Sequence, residues 1–261
     1  MKTLQTIIAI TLLSLFSVSC SNDGDSDTNK PVLLLEKETH FVGYNKYIYD
    51  ANNKLSVIEN INPGFSSYKT TLIYNSNGKI EESVTIVTAS NFPAPPTKIT
   101  YSYDAQNRLI EKKIFQSSSE NLSLFNYIRS DFFEYNGNLV TLKSKEKDSN
   151  VPTTRIIYDF DNKGNIIKKT SYEQMSADNP NGLISSTRTY VYDDKWNPQT
   201  SLPSEYLFPN LTTNNQLKST NVTDNGTSIT EFDYEYNTEG YATKQTVSGQ
   251  PSSITYEYLK K

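Results

Sequence analysis

Apolar and polar residues alternate singly along much of the chain. Ile99, Tyr101 and Tyr103 are separated by Thr100 and Ser102, while Phe232, Tyr234 and Tyr236 are separated by Asp233 and Glu235. Ile254, Tyr256 and Tyr258 alternate with Thr255 and Glu257 in the same way. A period of two puts each kind of side chain on its own face of an extended strand, so these segments predict half-buried β-strands. No segment carries a convincing helical period. The strands belong to a recurring phrase: two aromatics two apart, an Asp or Asn, a short turn, then a basic or polar residue and an aliphatic one. The aromatic pairs are Tyr47/Tyr49, Tyr101/Tyr103, Phe133/Tyr135, Tyr158/Phe160, Tyr190/Tyr192, Tyr234/Tyr236 and Tyr256/Tyr258, with Leu72/Tyr74 a variant. The last closes the chain without a turn.

Each phrase predicts a hairpin. Asp50, Asn75, Asp104, Asp161 and Asn237 open turns through Asn53, Gly78, Asn107, Gly164 and Gly240. Asx side chains bond their own backbone, and Asn and Gly tolerate positive φ, so the chain reverses there. The fold class is therefore all-β: consecutive antiparallel hairpins forming one large curled sheet or an open barrel-like structure. Right-handed twist bends such a sheet and brings the Tyr rows together on its concave side, with hydroxyls reaching polar partners. Lys and Glu flanking the strands would guard any exposed edge.

The run Tyr103-Asp104-Ala105-Gln106-Asn107-Arg108-Leu109 resembles the YD repeat of RHS-type proteins, whose core is Tyr-Asp-x-x-Gly-Arg-Leu. It is also similar to domains of unknown function in Gram-negative lipoproteins that carry degenerate versions of that motif. The likeness spreads thinly over residues 44–261, with Asn53 and Asn107 where the motif has glycine. It implies a long sheet of consecutive hairpins; the irregular spacing does not imply the cargo-enclosing shell of the larger family.

The N-terminus carries an address. Lys2 precedes the uncharged, largely apolar run Leu4–Val18, which is shorter than the ~20 residues of a membrane span and sits where a signal h-region belongs. Ser17-Val18-Ser19-Cys20 resembles a bacterial lipobox, which implies cleavage after residue 19 and lipid on Cys20, the one cysteine of the chain. An ordinary cleaved signal and an uncleaved anchor are the alternatives. A lone thiol in an oxidising compartment has no disulfide partner, and lipid gives it a use. The predicted organisation is a signal peptide at 1–19, a lipidated cysteine and acidic flexible tether at 20–38, and one repeat domain at 39–261. The Asp23, Asp25, Asp27 spacing lacks the Gly and the closing carboxylate of an EF-hand, so a tether is the better reading. Acidic residues after the cysteine resemble surface-export signals. The expected location is the outer membrane, lipid-anchored at the cell surface, with the periplasmic face as alternative.

Losing residues 1–19 removes Lys2 and leaves 24 basic side chains against 29 acidic ones, a net charge of −5. That argues against nucleic acid and against electrostatic docking on anionic lipid. His40 is the only histidine, so triads and histidine-bound metals are excluded as usually built. No pattern asks for a metal or a cofactor. Asp159/Asp161 and Asp193/Asp194 offer the paired carboxylates of glycoside hydrolysis, but at positions where turn chemistry already explains Asp.

Function is expected in the unequal loops: 88–97 with Phe92, Pro93, Pro95 and Pro96; 116–128 with Leu124 and Phe125; and the long 196–228 insertion. Trp196, Tyr206 and Phe208 in the insertion, with Phe125, are the candidate ligand contacts. The apolar cluster in the insertion either caps the open end of the sheet or lines a cleft. The sequence therefore points to a non-catalytic binding module for a glycan or an outer-membrane partner protein. A carrier of an apolar ligand is the alternative and a carboxylate hydrolase the third reading.

Overall fold

The structure is a computed structural model and describes residues 33–89, 94–117 and 124–260. The first strands are β1 (Leu33–His40), β2 (Gly43–Tyr49), β3 (Leu55–Ile61), β4 (Ser67–Tyr74), β5 (Ile80–Ala89) and β6 (Thr97–Tyr103). The middle of the chain forms β7 (Leu109–Ser117), β8 (Phe125–Asn136), β9 (Leu139–Glu146), β10 (Thr154–Phe160) and β11 (Ile166–Glu173). The last are β12 (Leu183–Trp196), β13 (Asn214–Thr223), β14 (Gly226–Tyr236), β15 (Ala242–Val247) and β16 (Ser253–Lys260). All sixteen are antiparallel neighbours in chain order, and β1 pairs with β16 to close the barrel. Between β12 and β13 lie a 3₁₀ turn (Pro198–Ser201) and the one-turn helix α1 (Ser204–Leu207).

The repeated phrase has one structural meaning throughout. Asp50 Oδ1 accepts the backbone N–H groups of Asn52 and Lys54, and Asp104 Oδ1 those of Gln106 and Arg108, at 2.8–3.0 Å. Asn75, Asp161 and Asn237 do the same. The residue before the basic or polar one is left-handed: Asn53 at φ 64°, Gly78 at 78°, Asn107 at 59°, Gly164 at 87° and Gly240 at 83°. Asn stands in for Gly here because it tolerates that region where a branched residue does not. Asn107→Ala is expected to cost about 1–2 kcal/mol, and Asn107→Gly close to nothing, in urea denaturation.

Both aromatics of each phrase point into the barrel, where most of them are buried or packed against the core. The second hydroxyl reaches the neighbouring hairpin and donates to the carbonyl of its first aliphatic residue. Tyr74 donates to Leu55, Tyr103 to Ile80, Tyr135 to Leu109, and Tyr192 to Ile166, at 2.6–2.7 Å. The basic residue after the turn covers the next phrase's ring: Lys54 Nζ lies 3.8 Å from the Tyr74 centroid and Arg108 Cζ 4.5 Å from that of Tyr135.

The same grammar closes the barrel. Within a phrase the second aromatic pairs across the hairpin with the aliphatic residue after the turn, as in Tyr49 with Leu55, Tyr74 with Ile80 and Tyr103 with Leu109. Tyr258 has no turn after it, and its partner is Leu35, from the opposite end of the chain. Tyr49 donates to the Leu35 carbonyl at 2.8 Å and Tyr258 to that of Ala242 at 2.6 Å. β1 is therefore the missing return strand of the last phrase.

This corrects the expected tether boundary. Residues 33–38 belong to β1, and Leu33, Leu34 and Leu35 are buried; a polar tether has no means of burying three leucines, a barrel seam does. The expected signal peptide, Cys20 and the tether through residue 32 lie outside the described residues, as do Phe92 and Pro93. Closure also removes the edges that Lys and Glu were expected to guard. Those residues form cross-strand pairs on the outer face, such as Lys37–Glu257 at 2.9 Å and Lys244–Glu235 at 2.7 Å. The expected 196–228 insertion is shorter too: β13 occupies 214–223 and β14 begins at Gly226. β13 was hidden because Asn, Gln, Lys, Ser and Thr on both faces show no period of two.

Candidate functional site

What remains of the insertion, residues 197–213, folds into the barrel and plugs it. Trp196 pairs with Asn214 at its neck. Asn197 caps the 3₁₀ turn by accepting from the Gln199 N–H at 2.9 Å. Ser201 Oγ accepts from the Leu35 N–H at 3.0 Å, and Leu202 is buried among Leu55, Tyr47 and their neighbours. Phe208 meets Phe133 edge-on at 5.1 Å. Two cations fasten the plug from different strands. Lys112 Nζ, from β7, donates to the carbonyls of Phe208 and Tyr206 at 2.9 and 3.3 Å. Lys79, at the β4–β5 turn, pairs with the buried Glu205 carboxylate at 2.7 Å. Burial draws the Lys112 ammonium down to about 8, with Asp131 and Glu205 opposing the shift.

The plug leaves a chamber on each side. One, of about 460 Å³, lies toward β1–β5 and is lined by Glu38, His40, Tyr47, Tyr68, Thr70 and Tyr206 among others. Its acid is committed: Tyr47 donates to Glu38 at 2.9 Å, and the His40 ring stands 3.6 Å from the same carboxylate. Burial, followed by the charge of Glu38, drives the Tyr47 hydroxyl far above its ordinary range.

The second chamber, about 420 Å³, lies between the plug and β11–β16. Tyr190, Tyr192, Tyr234 and Tyr256 wall it, and Gln199, Gln216 and Gln245 offer amides. Tyr190 and Tyr192 lie 6.3 Å apart, and Tyr256 donates to Gln245 at 2.8 Å. Lys169 and Arg188 enter the same space from β11 and β12. Phe232, Gln245 and Ile254 also line a neighbouring pocket with His40 and Phe41, toward the barrel end opposite the repeat turns.

The four candidate contacts fall in different places. Tyr206 lines the 460 Å³ chamber, and Phe208 is a plug anchor. Trp196 stays 41% exposed at the neck. Phe125 begins β8 with Lys98 Nζ 5.1 Å from its ring and lines neither chamber. The insertion thus acts as a cap that at the same time shapes clefts. The paired carboxylates do not share a cleft. Asp161 caps its turn, Asp159 pairs across the outer face with Lys168, and Asp194 is exposed beside Lys195. Asp193 holds the plug neck through the backbone and side-chain amides of Asn215 and the Tyr236 hydroxyl. The chamber residues the loop-based reading missed carry one legible signal: Arg188, Tyr190 and Tyr192 are two apart, so a strand that turns its tyrosines inward turns Arg188 inward as well.

Fold and site together define a plugged, closed β-barrel with a polar, tyrosine-walled lumen. No protein-family model matches the chain, and no curated protein matches it. Among solved structures it is similar to a porin-like protein from Bacteroides vulgatus ATCC 8482, at 12% identity and a TM-score of 0.46, over 87% of this chain and 99% of that one. A porin-like protein from Bacteroides uniformis ATCC 8492 follows at 10% identity and 0.39, over 86% and 96%. The Photorhabdus luminescens Tc holotoxin pore shows 14% identity and 0.32, over 84% of this chain but 13% of that one. Likenesses this distant carry no functional argument, so the site has to be read from its own chemistry.

Proposed function

We propose that this chain is a lipid-anchored, water-facing binding protein that holds a saccharide in the lumen of its barrel, beside the plug. The observation that carries the reading is the 420 Å³ chamber, which four tyrosines line together with the amide side chains of Gln199, Gln216 and Gln245. Tyrosine rings stack on the apolar face of a sugar, while hydroxyls and amides bond its edge. A carrier of apolar ligands would want a lining without Lys169, Arg188 and three glutamines.

The outer face supports a barrel that stands in water. A membrane-spanning barrel needs an outward apolar band about 25 Å tall. Here ion pairs cross the outward face, Lys218–Glu231 at 2.9 Å and Lys143–Glu134 at 2.7 Å besides the two already described, and interrupt exposed apolar residues such as Ile73, Ile110 and Val191. Membrane attachment then falls to Cys20. β1 starts and β16 ends at the repeat-turn end, so the chain enters the barrel there.

Two measurements test the proposal. Expressed in a Gram-negative host, the chain is expected to carry acyl chains on Cys20 by intact mass, and Cys20→Ser to be released from the membrane fraction. On a glycan array the Cys20→Ser protein is expected to retain sugars, with at least a tenfold loss in Tyr190→Ala. An unmodified Cys20 sinks the anchor; an array with no retained sugar, or a lipid co-purifying in the lumen by native mass spectrometry, sinks the saccharide reading.

A further inference from the structure

We propose that the saccharide held in the 420 Å³ chamber is an acidic one, its carboxylate or sulfate seated between Lys169 and Arg188 and a hydroxyl bonded to Asn215 Oδ1. The inference rests on the saccharide reading and names the substrate class of that site.

Lys169 and Arg188 face each other directly across β11 and β12. Like charges placed opposite one another in a sheet are destabilising, and a barrel with no use for them would carry one neutral partner. Among the described residues neither forms an ion pair with an acid. Lys169 lies 5.6 Å from the Tyr158 ring, and both cations line the chamber. The cost of the arrangement shows on Lys169, whose ammonium is drawn below its ordinary value by burial and then by Arg188. The acid of this chamber, Glu38, is already held by Tyr47 and stands where the two chambers meet. The juxtaposed cations are therefore a preformed seat for an anion, which would relieve their repulsion on arrival. Arg presents two parallel donors to a carboxylate or sulfate, and Lys adds a point charge.

Asn215 supplies an independent observation. It is 2% exposed, and its amide nitrogen donates to Asp193 Oδ2 at 3.0 Å, which fixes the orientation of the group. Its Oδ1 is buried without a hydrogen-bond partner among the described residues, and the residue lines the chamber. A buried carbonyl left unpaired is unfavourable, and a ligand O–H in the chamber would relieve it. Asn215 lies about six residues along β13 from the partner of Arg188, so one ligand that meets both is an oligosaccharide, with its acid group at one end of the chamber and a hydroxyl at the other. The volume falls within the usual range of small-ligand sites, about 300–1,000 Å³.

The test is calorimetric titration of the Cys20→Ser protein with pairs of oligosaccharides that differ only in charge. The panel sets galacturonate, glucuronate, sialylated and sulfated oligosaccharides against their neutral counterparts. At least one acidic member is expected to bind tenfold or more tighter than its neutral partner, by a margin that shrinks with added salt. Arg188→Gln and Lys169→Gln, each checked for an unchanged circular dichroism spectrum, should lower the affinity for the acidic member far more than that for its neutral partner, so that the margin closes. Equal binding of both members of every pair, or a margin that survives both substitutions, overturns the acidic ligand and leaves the saccharide reading standing. Absence of any saccharide binding overturns both.

Discussion

Raising the pH from 10 to 12 is expected to unfold the barrel in one steep transition. Burial pushes the hydroxyls of Tyr49, Tyr101 and Tyr135 up to about 12, and Tyr74, Tyr103, Tyr192 and Tyr258 beyond that. A group whose pKa is raised by folding contributes stability that is complete below its unfolded value, near 10, and is lost as the pH climbs through the folded one. Each such proton changes stability by about 1.4 kcal/mol per pH unit, so the first three tyrosines alone remove about 4 kcal/mol per unit above pH 10. Against a total of about 5–15 kcal/mol, that loss is decisive within two units. Lys112 works the other way at lower pH. Its folded value near 8 lies below the unfolded one, so its contribution rises from pH 8 to about 10.5 and flattens the approach to the collapse. Tyrosinate absorbance and far-ultraviolet circular dichroism should therefore change together. A gradual rise in tyrosinate centred near pH 10, with the strand signal intact, would show the ladder to be open to solvent.

That ladder explains how much of the fold was legible. Tyr-x-Tyr followed by Asp and a left-handed Asn or Gly is a strand, a cap and a reversal, each a local matter, and so the hairpins follow from short stretches of chain. Closure is not local. The role of Leu35 depends on Tyr258, more than two hundred residues away, and a run of three leucines beside an acidic stretch carries no period to announce a strand. The fit between a last phrase lacking its turn and a first strand lacking its phrase is visible only once the register is known.

The site was legible in kind and not in place. Aromatic residues in the 196–228 insertion pointed to packing, and Leu202, Tyr206 and Phe208 do pack. The chamber walls, however, belong to strand tyrosines whose phrase had already been explained by folding. Inward tyrosines serve both purposes: hydroxyls near the repeat turns, such as Tyr192, are spent on carbonyls, while Tyr190, one pair deeper in the strand, meets the chamber. Asn214 and Asn215 are likewise silent in sequence, although the first bonds Asn165 and the second Asp193 to set the plug neck.

The Lys79–Glu205 pair is where a single substitution should move the plug. Glu205 is buried, and Lys79 Nζ at 2.7 Å is its partner. Lys79→Met keeps the stem packed over the turn but leaves the Glu205 carboxylate without its ion-pair partner in the crevice it shares with Lys54, Leu55 and Tyr74. Breaking a fully buried pair costs about 3–5 kcal/mol. Because the Lys79 side chain is 34% exposed, solvent screening brings the expected loss down to about 2 kcal/mol. The carboxylate escapes that cost by taking up a proton or by drawing α1 outward, and the second route loosens Leu202 and Phe208 as well. Trp196, the one tryptophan of the chain, sits at the plug neck and reports such a movement. Lys79→Met should therefore lower the urea midpoint and make Trp196 more accessible to acrylamide. Lys79→Met with Glu205→Gln should recover most of both, since a neutral amide tolerates the crevice better than a lone charge. If the double variant is as unstable as the single one, the pair is incidental and apolar packing alone holds the plug. If Trp196 quenching is unchanged while stability falls, the plug stays seated and the strain is borne by the β4–β5 turn instead.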